Sequence, residues 1–285
     1  MIEFTNVTKR YGRKSTKIIA IDDVSLSVSQ PGIYCLLGRN GAGKTTLMKL
    51  MAGHIAATKG QITVDNSSVS TSRMPEGVNY IESGAIQFNI KVAELIKAAA
   101  DLQDGFDMEF AEKMLTMFRL DMKKNFKQLS FGMKTMLTTI IALANQSKII
   151  LLDEPTLGFD AIMRDQFNTL LLESYNTHPR IIIVSTHLID EIAKITERLI
   201  IIDNGGILLE AEINEVDERA YTLSGMVNLV LPLLDDLNCI GKTTMGSVMA
   251  AHIFDRRIVP PEGVAVNRLS LQDFFIQIVG GQNNA

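Results

Sequence analysis

The chain of 285 residues is long enough for one large domain or for a domain with an appendage. Hydrophobic residues at 46% and charged residues at 21% are ordinary globular usage, which excludes disordered, collagen-like and coiled-coil readings. Lys+Arg 28 against Asp+Glu 32 gives a net charge of −4, without the basic excess that a nucleic-acid footprint or a polybasic membrane tether requires.

Ile2 to Val7 and Ile18 to Val28 alternate, and together with Gln61 to Val64 they predict antiparallel strands beside an α/β core. From about residue 33 to 203, short β-branched runs alternate with helix-length segments, the pattern of βαβ units around a mainly parallel central sheet. Within that stretch residues 88–145 read as a helical insertion, with Phe110, Met114 and Phe118 at helical spacing. Asn204-Gly205-Gly206 predicts a hairpin turn between Ile200 to Ile202 and Ile207 to Leu209. Residues 1–210 then form the main α/β domain and residues 211–285 a small accessory domain. The accessory part contains the Pro260-Pro261 break and a helix whose apolar side carries Leu271, Phe274, Phe275 and Ile278.

Ile149 to Leu152, Ile181 to Val184 and Leu199 to Ile202 are far short of the roughly 20 apolar residues that cross a bilayer, and they read as buried strands. The start, Met1-Ile2-Glu3-Phe4, lacks signal-peptide character. Cys35 and Cys239 read as packing residues of a reducing compartment, so a cytoplasmic location is expected.

Gly38-Arg39-Asn40-Gly41-Ala42-Gly43-Lys44-Thr45 satisfies G-x-x-x-x-G-K-[ST], between an apolar strand run and a helical run. Glycines at that spacing let the backbone curl so that successive N–H groups face phosphate oxygens at the positive end of a helix. Lys44 is expected to reach the β- and γ-phosphates of a nucleotide, with Thr45 holding Mg²⁺ and Thr46 completing the phosphate set. Gly241-Lys242-Thr243-Thr244 repeats the end of the motif, but Asp236 replaces its first glycine, and it is expected to be a turn with an exposed lysine.

Ile149 to Leu152 ends in Asp153-Glu154, where open parallel sheets place ligand chemistry. Asp153 is expected to hold Mg²⁺ and Glu154 to orient or deprotonate an attacking water. His187 follows the strand 181–185; from position alone it reads as structural, a cap or a satisfied polar group. His252, Asp255, Arg256 and Arg257 are expected to form a solvated turn.

In order, Gly38 to Thr45, Leu129-Ser130-Phe131-Gly132-Met133, Ile149 to Glu154, Leu157-Gly158-Phe159-Asp160 and His187 resemble the motifs of the ATP-binding subunits of ABC transporters. The resemblance covers roughly residues 1–210. It implies a P-loop NTPase fold, ATP and Mg²⁺ as ligands, separate transmembrane permease subunits, and a homodimer or a heterodimer with a second ATPase subunit. Each nucleotide would lie between one phosphate loop and the partner's signature segment, here Ser130 and Gly132. It further implies Tyr11 as the ring stacking on adenine, Asp160 as the acid of the loop after the strand-end carboxylates, and His187 as a catalytic group. Phe131 and Met133 depart from the usual glycine and glutamine, and Leu157 and Phe159 from the usual serine and leucine. Glu82 stands where the family places a glutamine that touches Mg²⁺, with Gln87 as a rival. Glu82, the insertion and the C-terminal extension resemble bacterial exporters of drugs, peptides or lipid-linked substrates. A soluble cassette acting on ribosomes or DNA lacks its second cassette or long coiled coil here, and a P-loop kinase or GTPase leaves Leu129 to Met133 unexplained.

Overall fold

A strand covered on both faces sends successive side chains into different cores, and that alternation organises the chain. The computed structural model describes residues 1–12, 18–84, 88–187 and 189–281. The chain begins with β1 (Ile2–Tyr11), β2 (Ile18–Val28), β3 (Gly32–Leu37), α1 (Lys44–Met51), β4 (Lys59–Val64), β5 (Ser67–Ser68) and β6 (Val78–Glu82). Helices α2 (Val92–Leu102), α3 (Met108–Met117) and α4 (Phe131–Ala144) follow, then β7 (Ile149–Asp153), α5 (Ala161–Thr177), β8 (Ile181–Ser185), α6 (Ile189–Ile192), β9 (Arg198–Asp203) and β10 (Gly206–Glu212). The last part comprises α7 (Ile213–Arg219), β11 (Ala220–Met226), α8 (Val227–Val230), β12 (Cys239–Met245), β13 (Val248–Phe254), β14 (Val264–Arg268) and α9 (Leu271–Gly281).

The central sheet has the order β10-β9-β3-β8-β7-β6. Its strands run parallel except β10, which turns back on β9 through Asn204-Gly205, both at positive φ as a tight hairpin needs. Odd and even residues separate cleanly. Ile33, Cys35, Leu37, Ile150, Leu152, Ile182 and Val184 join a core with the helices α2 to α5, whereas Tyr34, Leu36, Ile149, Leu151, Ile181 and Ile183 face α1 and the antiparallel sheet β2-β1-β4-β5. Complete burial of Cys35 pushes its thiol pKa up, which suits packing and not reactivity. Arg180 fastens the end of α4 to this body, donating to Asn145 O and Leu143 O at 2.7 Å each.

Residues beyond β10 add a four-stranded antiparallel sheet, β12-β13-β11-β14, with its own cluster around Tyr221, Leu223 and Ile253. Helix α9 packs against β12 of that sheet and also reaches the main body: Phe274 and Val279, with Leu269 just before the helix, are buried in the same core as α4 and α5. Two expectations for this part need correction. Gly241 to Thr244 is not a turn but part of the edge strand β12, because its residues pair with Met249 to His252. His252 lies within β13, half-buried and 3.0 Å from Thr222 Oγ1, and only Asp255, Arg256 and Arg257 of that group lie beyond the strand.

Candidate nucleotide site

The carboxyl ends of β3, β6, β7 and β8 meet on one edge of the parallel sheet, the end at which such sheets bind ligands. The loop after β3 leads into α1. Gly43, the residue before that helix, has φ 114°, and a methyl there would lie 2.6 Å from Ala20 O, so conformation and space both demand glycine. No side chain caps α1. The first intrahelical bond is Leu47 N–H to Gly43 O at 2.8 Å, which leaves the N–H groups of Lys44, Thr45 and Thr46 as unpaired donors at a positive helix end. Ala42 behaves differently from its neighbours: its N–H closes a turn onto Arg39 O, and its carbonyl accepts Gly205 N–H at 3.0 Å. Gly38 is packed so closely that a methyl on it would meet Ile202 O at 2.5 Å. Lys44 is 7% exposed, donates to Gly38 O at 2.8 Å, and lies 3.7 Å from Glu154 Oε1. Arg39 and Asn40 line a cavity of about 400 Å³ together with His187 and Phe275 of α9.

Across from the loop, parallel register sets Glu82 beside Asp153 and Asp153 beside Ser185. Two hydroxyls hold Asp153: Ser185 donates to Oδ1, and Tyr80 donates to Oδ2 at 3.2 Å. Burial pushes the Tyr80 pKa up, and the Asp153 and Glu82 charges push it further, so the phenol stays a proton donor. Glu154 sits at φ 49°, a left-handed conformation that costs a non-glycine residue of order 1 kcal/mol. Bonds on both sides hold it there. Its N–H reaches Ser185 O and Oγ at 3.1 and 3.0 Å, and its carbonyl accepts Ser83 Oγ at 2.7 Å and Leu157 N–H at 3.2 Å. Its carboxylate meets His187 Nδ1 at 2.8 Å.

Lys44, Asp153, Glu154 and His187, expected from the sequence to act together, therefore share one site. Glu82 is beside them but engaged by Lys49, 2.9 Å from its Oε2. Gln87, its rival, lies outside the described residues. Tyr11 ends β1 opposite Ile18, on the strand pair whose Ala20 abuts Gly43; its ring is 40% exposed with Lys9 Nζ 5.0 Å above it. Ser130, Gly132 and Asp160 form a separate group at the starts of α4 and α5. Ser130 accepts Met133 N–H at 3.2 Å and Asp160 accepts Met163 N–H at 2.9 Å, both as helix caps. Tyr80, Ser83 and Ser185 were not expected. Polar residues ending apolar runs were the available signal, but their direction depends on register between distant strands.

Thr45, Asp153 and Glu82 offer only hydroxyl and carboxylate oxygens, and among the described residues no cluster of three or more acidic, histidine or cysteine side chains forms a cage. That donor set fits Mg²⁺, which takes one or two protein oxygens and shares its remaining positions with phosphate and water.

A family model described as ABC transporter matches residues 21–157. The bacitracin transport ATP-binding protein BcrA of Enterococcus faecalis is 30% identical over 99% of this chain and 97% of its own length. The lantibiotic transport ATP-binding protein SrtF of Streptococcus pyogenes is 28% identical over 74% of this chain and 91% of its own. The mouse organic anion transporter ABCA8B is 33% identical over 72% of this chain, which spans only 13% of that longer protein. A solved ATP-binding cassette, MJ0796 in a dimeric post-hydrolysis state with ADP and Pi, shares the fold at TM-score 0.65 and 22% identity, over 75% of this chain and 99% of that one. With BcrA matched almost end to end and the P-loop and strand-end acids inside the family match, the chain belongs to the ABC transporter family, as an ATP-binding subunit that hydrolyses ATP.

Proposed function

We propose that this chain powers an exporter, using Glu154 to activate the water that attacks ATP. The observation that carries the reading is the contact of Glu154 with His187 at 2.8 Å while its other oxygen lies 3.7 Å from Lys44. A carboxylate flanked by the phosphate-loop lysine and by a histidine has the placement of a general base beside a terminal phosphate. His187 orients it. The N–H groups from Gly43 to Thr46 and the Lys44 ammonium hold the phosphates, and Tyr11 offers its exposed ring to the base. Thr45 and Asp153 would hold Mg²⁺, with Glu82 next to them; the ion supplies neutralising charge on the phosphates. Ser130 and the Gly132 N–H begin α4 as a second anion-binding helix start, and Asp160 begins the next. They serve the nucleotide of a second ATPase subunit, identical or related, in a dimer that closes on ATP and reopens after hydrolysis.

Separate membrane subunits convert that closure into export of a drug, peptide or lipid-linked cargo, with this chain on the cytoplasmic face of the membrane. Support comes from the end-to-end similarity to a bacitracin transport protein and the similarity to a lantibiotic transport protein. It is also consistent that no described helix is long and apolar enough to cross a membrane.

Glu154→Gln tests the mechanism. ATP binding and ATP-dependent dimerisation are expected to persist while hydrolysis falls by a factor on the order of 10² to 10⁴. Hydrolysis near the wild-type rate would falsify the assignment of Glu154.

A further inference from the structure

Phe131, the first residue of α4, is 43% exposed, but the rest of its ring is committed to two particular contacts. A methyl built on Gly84 would lie 2.9 Å from Phe131 Cε2 and 3.4 Å from Cζ. One built on Gly158 would lie 2.9 Å from Cδ1 and 3.5 Å from Cε1. Opposite edges of a single ring thus rest on two bare α-carbons from separate parts of the chain. Both glycines have left-handed φ, 76° and 79°, so a side chain at either would be strained as well as driven into the ring.

The two glycine segments converge again on Glu154. Ser83, preceding Gly84, donates its hydroxyl to Glu154 O at 2.7 Å and its N–H to Asp153 O at 3.3 Å. Leu157, preceding Gly158, donates its N–H to the same Glu154 carbonyl at 3.2 Å. The backbone of Glu154 is left-handed and held by these bonds, so movement of either segment turns its carboxylate relative to Lys44 and His187. Gly132, the next residue of α4, is also close to this loop: a methyl on it would lie 3.2 Å from Gly158 O.

We infer that Phe131 is a positioning residue for hydrolysis: its ring ties the start of α4 to both segments bonded to the Glu154 carbonyl, so a displacement of α4 reaches the Glu154 carboxylate within the same chain. This rests on Glu154 being the group that activates water. A ring that merely covered the small groove beside Phe126, Lys134 and Thr138 would influence stability and leave the rate per bound ATP alone.

The test compares Phe131→Ala and Phe131→Met in the full chain, measuring steady-state hydrolysis, equilibrium binding of a fluorescent ATP analogue and thermal melting. The alanine variant is expected to lose roughly tenfold in kcat, with nucleotide affinity within about twofold of wild type. Methionine reaches as far as the ring edge and is expected to restore kcat to within about threefold. Gly84→Ala should add a smaller loss to Phe131→Ala than it causes alone, because the ring it would strike is gone. An alanine variant with unchanged kcat, a rate loss matched by lost nucleotide binding, or a methionine variant as slow as alanine would each overturn the inference. Glu154→Gln separates the two readings: if it is inactive while Phe131→Ala is not, Phe131 alone is misassigned, and if it remains active, the role of Glu154 itself fails.

Discussion

Ser185 donates its hydroxyl to Asp153 Oδ1, and its Oγ accepts the Glu154 N–H at 3.0 Å. One small side chain at the end of β8 therefore fixes the two consecutive acids at the end of β7, one proposed to face the metal and the other the water. Tyr80 completes the arrangement from β6. The acids are aimed by neighbouring strands, not by their own loop.

Ser185→Ala removes a donor from a buried, charged acceptor. We expect a stability loss of about 1–3 kcal/mol, read from urea unfolding, because hydrogen bonds to charged groups lie at the upper end of the usual range. The Mg²⁺ concentration for half-maximal hydrolysis should rise severalfold while nucleotide affinity without Mg²⁺ changes little. Glu154 N–H keeps its bond to Ser185 O at 3.1 Å, so the proposed base stays in place. An unchanged Mg²⁺ requirement would count against Asp153 as the metal-facing acid.

Phe274→Ala tests how firmly the C-terminal residues belong to the body. Phe274 is fully buried, packs edge-on to Phe254 with centroids 4.9 Å apart, and shares a core with Phe167 of α5 and Ile192 of α6. Truncating such a ring leaves a cavity and should cost about 3–5 kcal/mol. We expect one cooperative unfolding transition shifted to lower denaturant. A separate early transition, with the ATPase body's midpoint unmoved, would show that α9 is energetically detached.

Strong acid should weaken a surface cluster. The N-terminal ammonium and then Lys148 hydrogen-bond Asp65 and lower its pKa from 3.8 to about 2. The folded value lies below the unfolded one, so the stabilisation is present in full above about pH 4 and disappears as pH falls through 2. Exposure to solvent keeps the effect small. Melting curves of Asp65→Asn should fall less steeply than wild type between pH 4 and 2, and added salt should narrow the difference. Parallel curves across that range would remove Asp65 from acid unfolding.

Some of this protein was legible along the chain because the controlling interactions are local. The phosphate loop needs its glycines, lysine and threonine within eight consecutive positions, since one backbone curl must present all of them to one ligand. Asn204-Gly205 specifies its hairpin by backbone conformation alone, and the apolar runs announce strands buried on both faces. Asp153 and Glu154 could be placed at a strand end for the same reason. Other features depended on which distant segments become neighbours. Whether Ser185 and Tyr80 point at Asp153 follows from parallel register across three strands, and one residue of slip would turn each to the other face. Lys49 meeting Glu82, α9 joining its own sheet to the main core, and Phe131 lying between Gly84 and Gly158 have no signature at fixed spacing. The sequence by itself determined the nucleotide-binding loop and the strand-end acids; tertiary packing alone decided how those acids are held, because their partners come from strands and helix starts far apart in the chain.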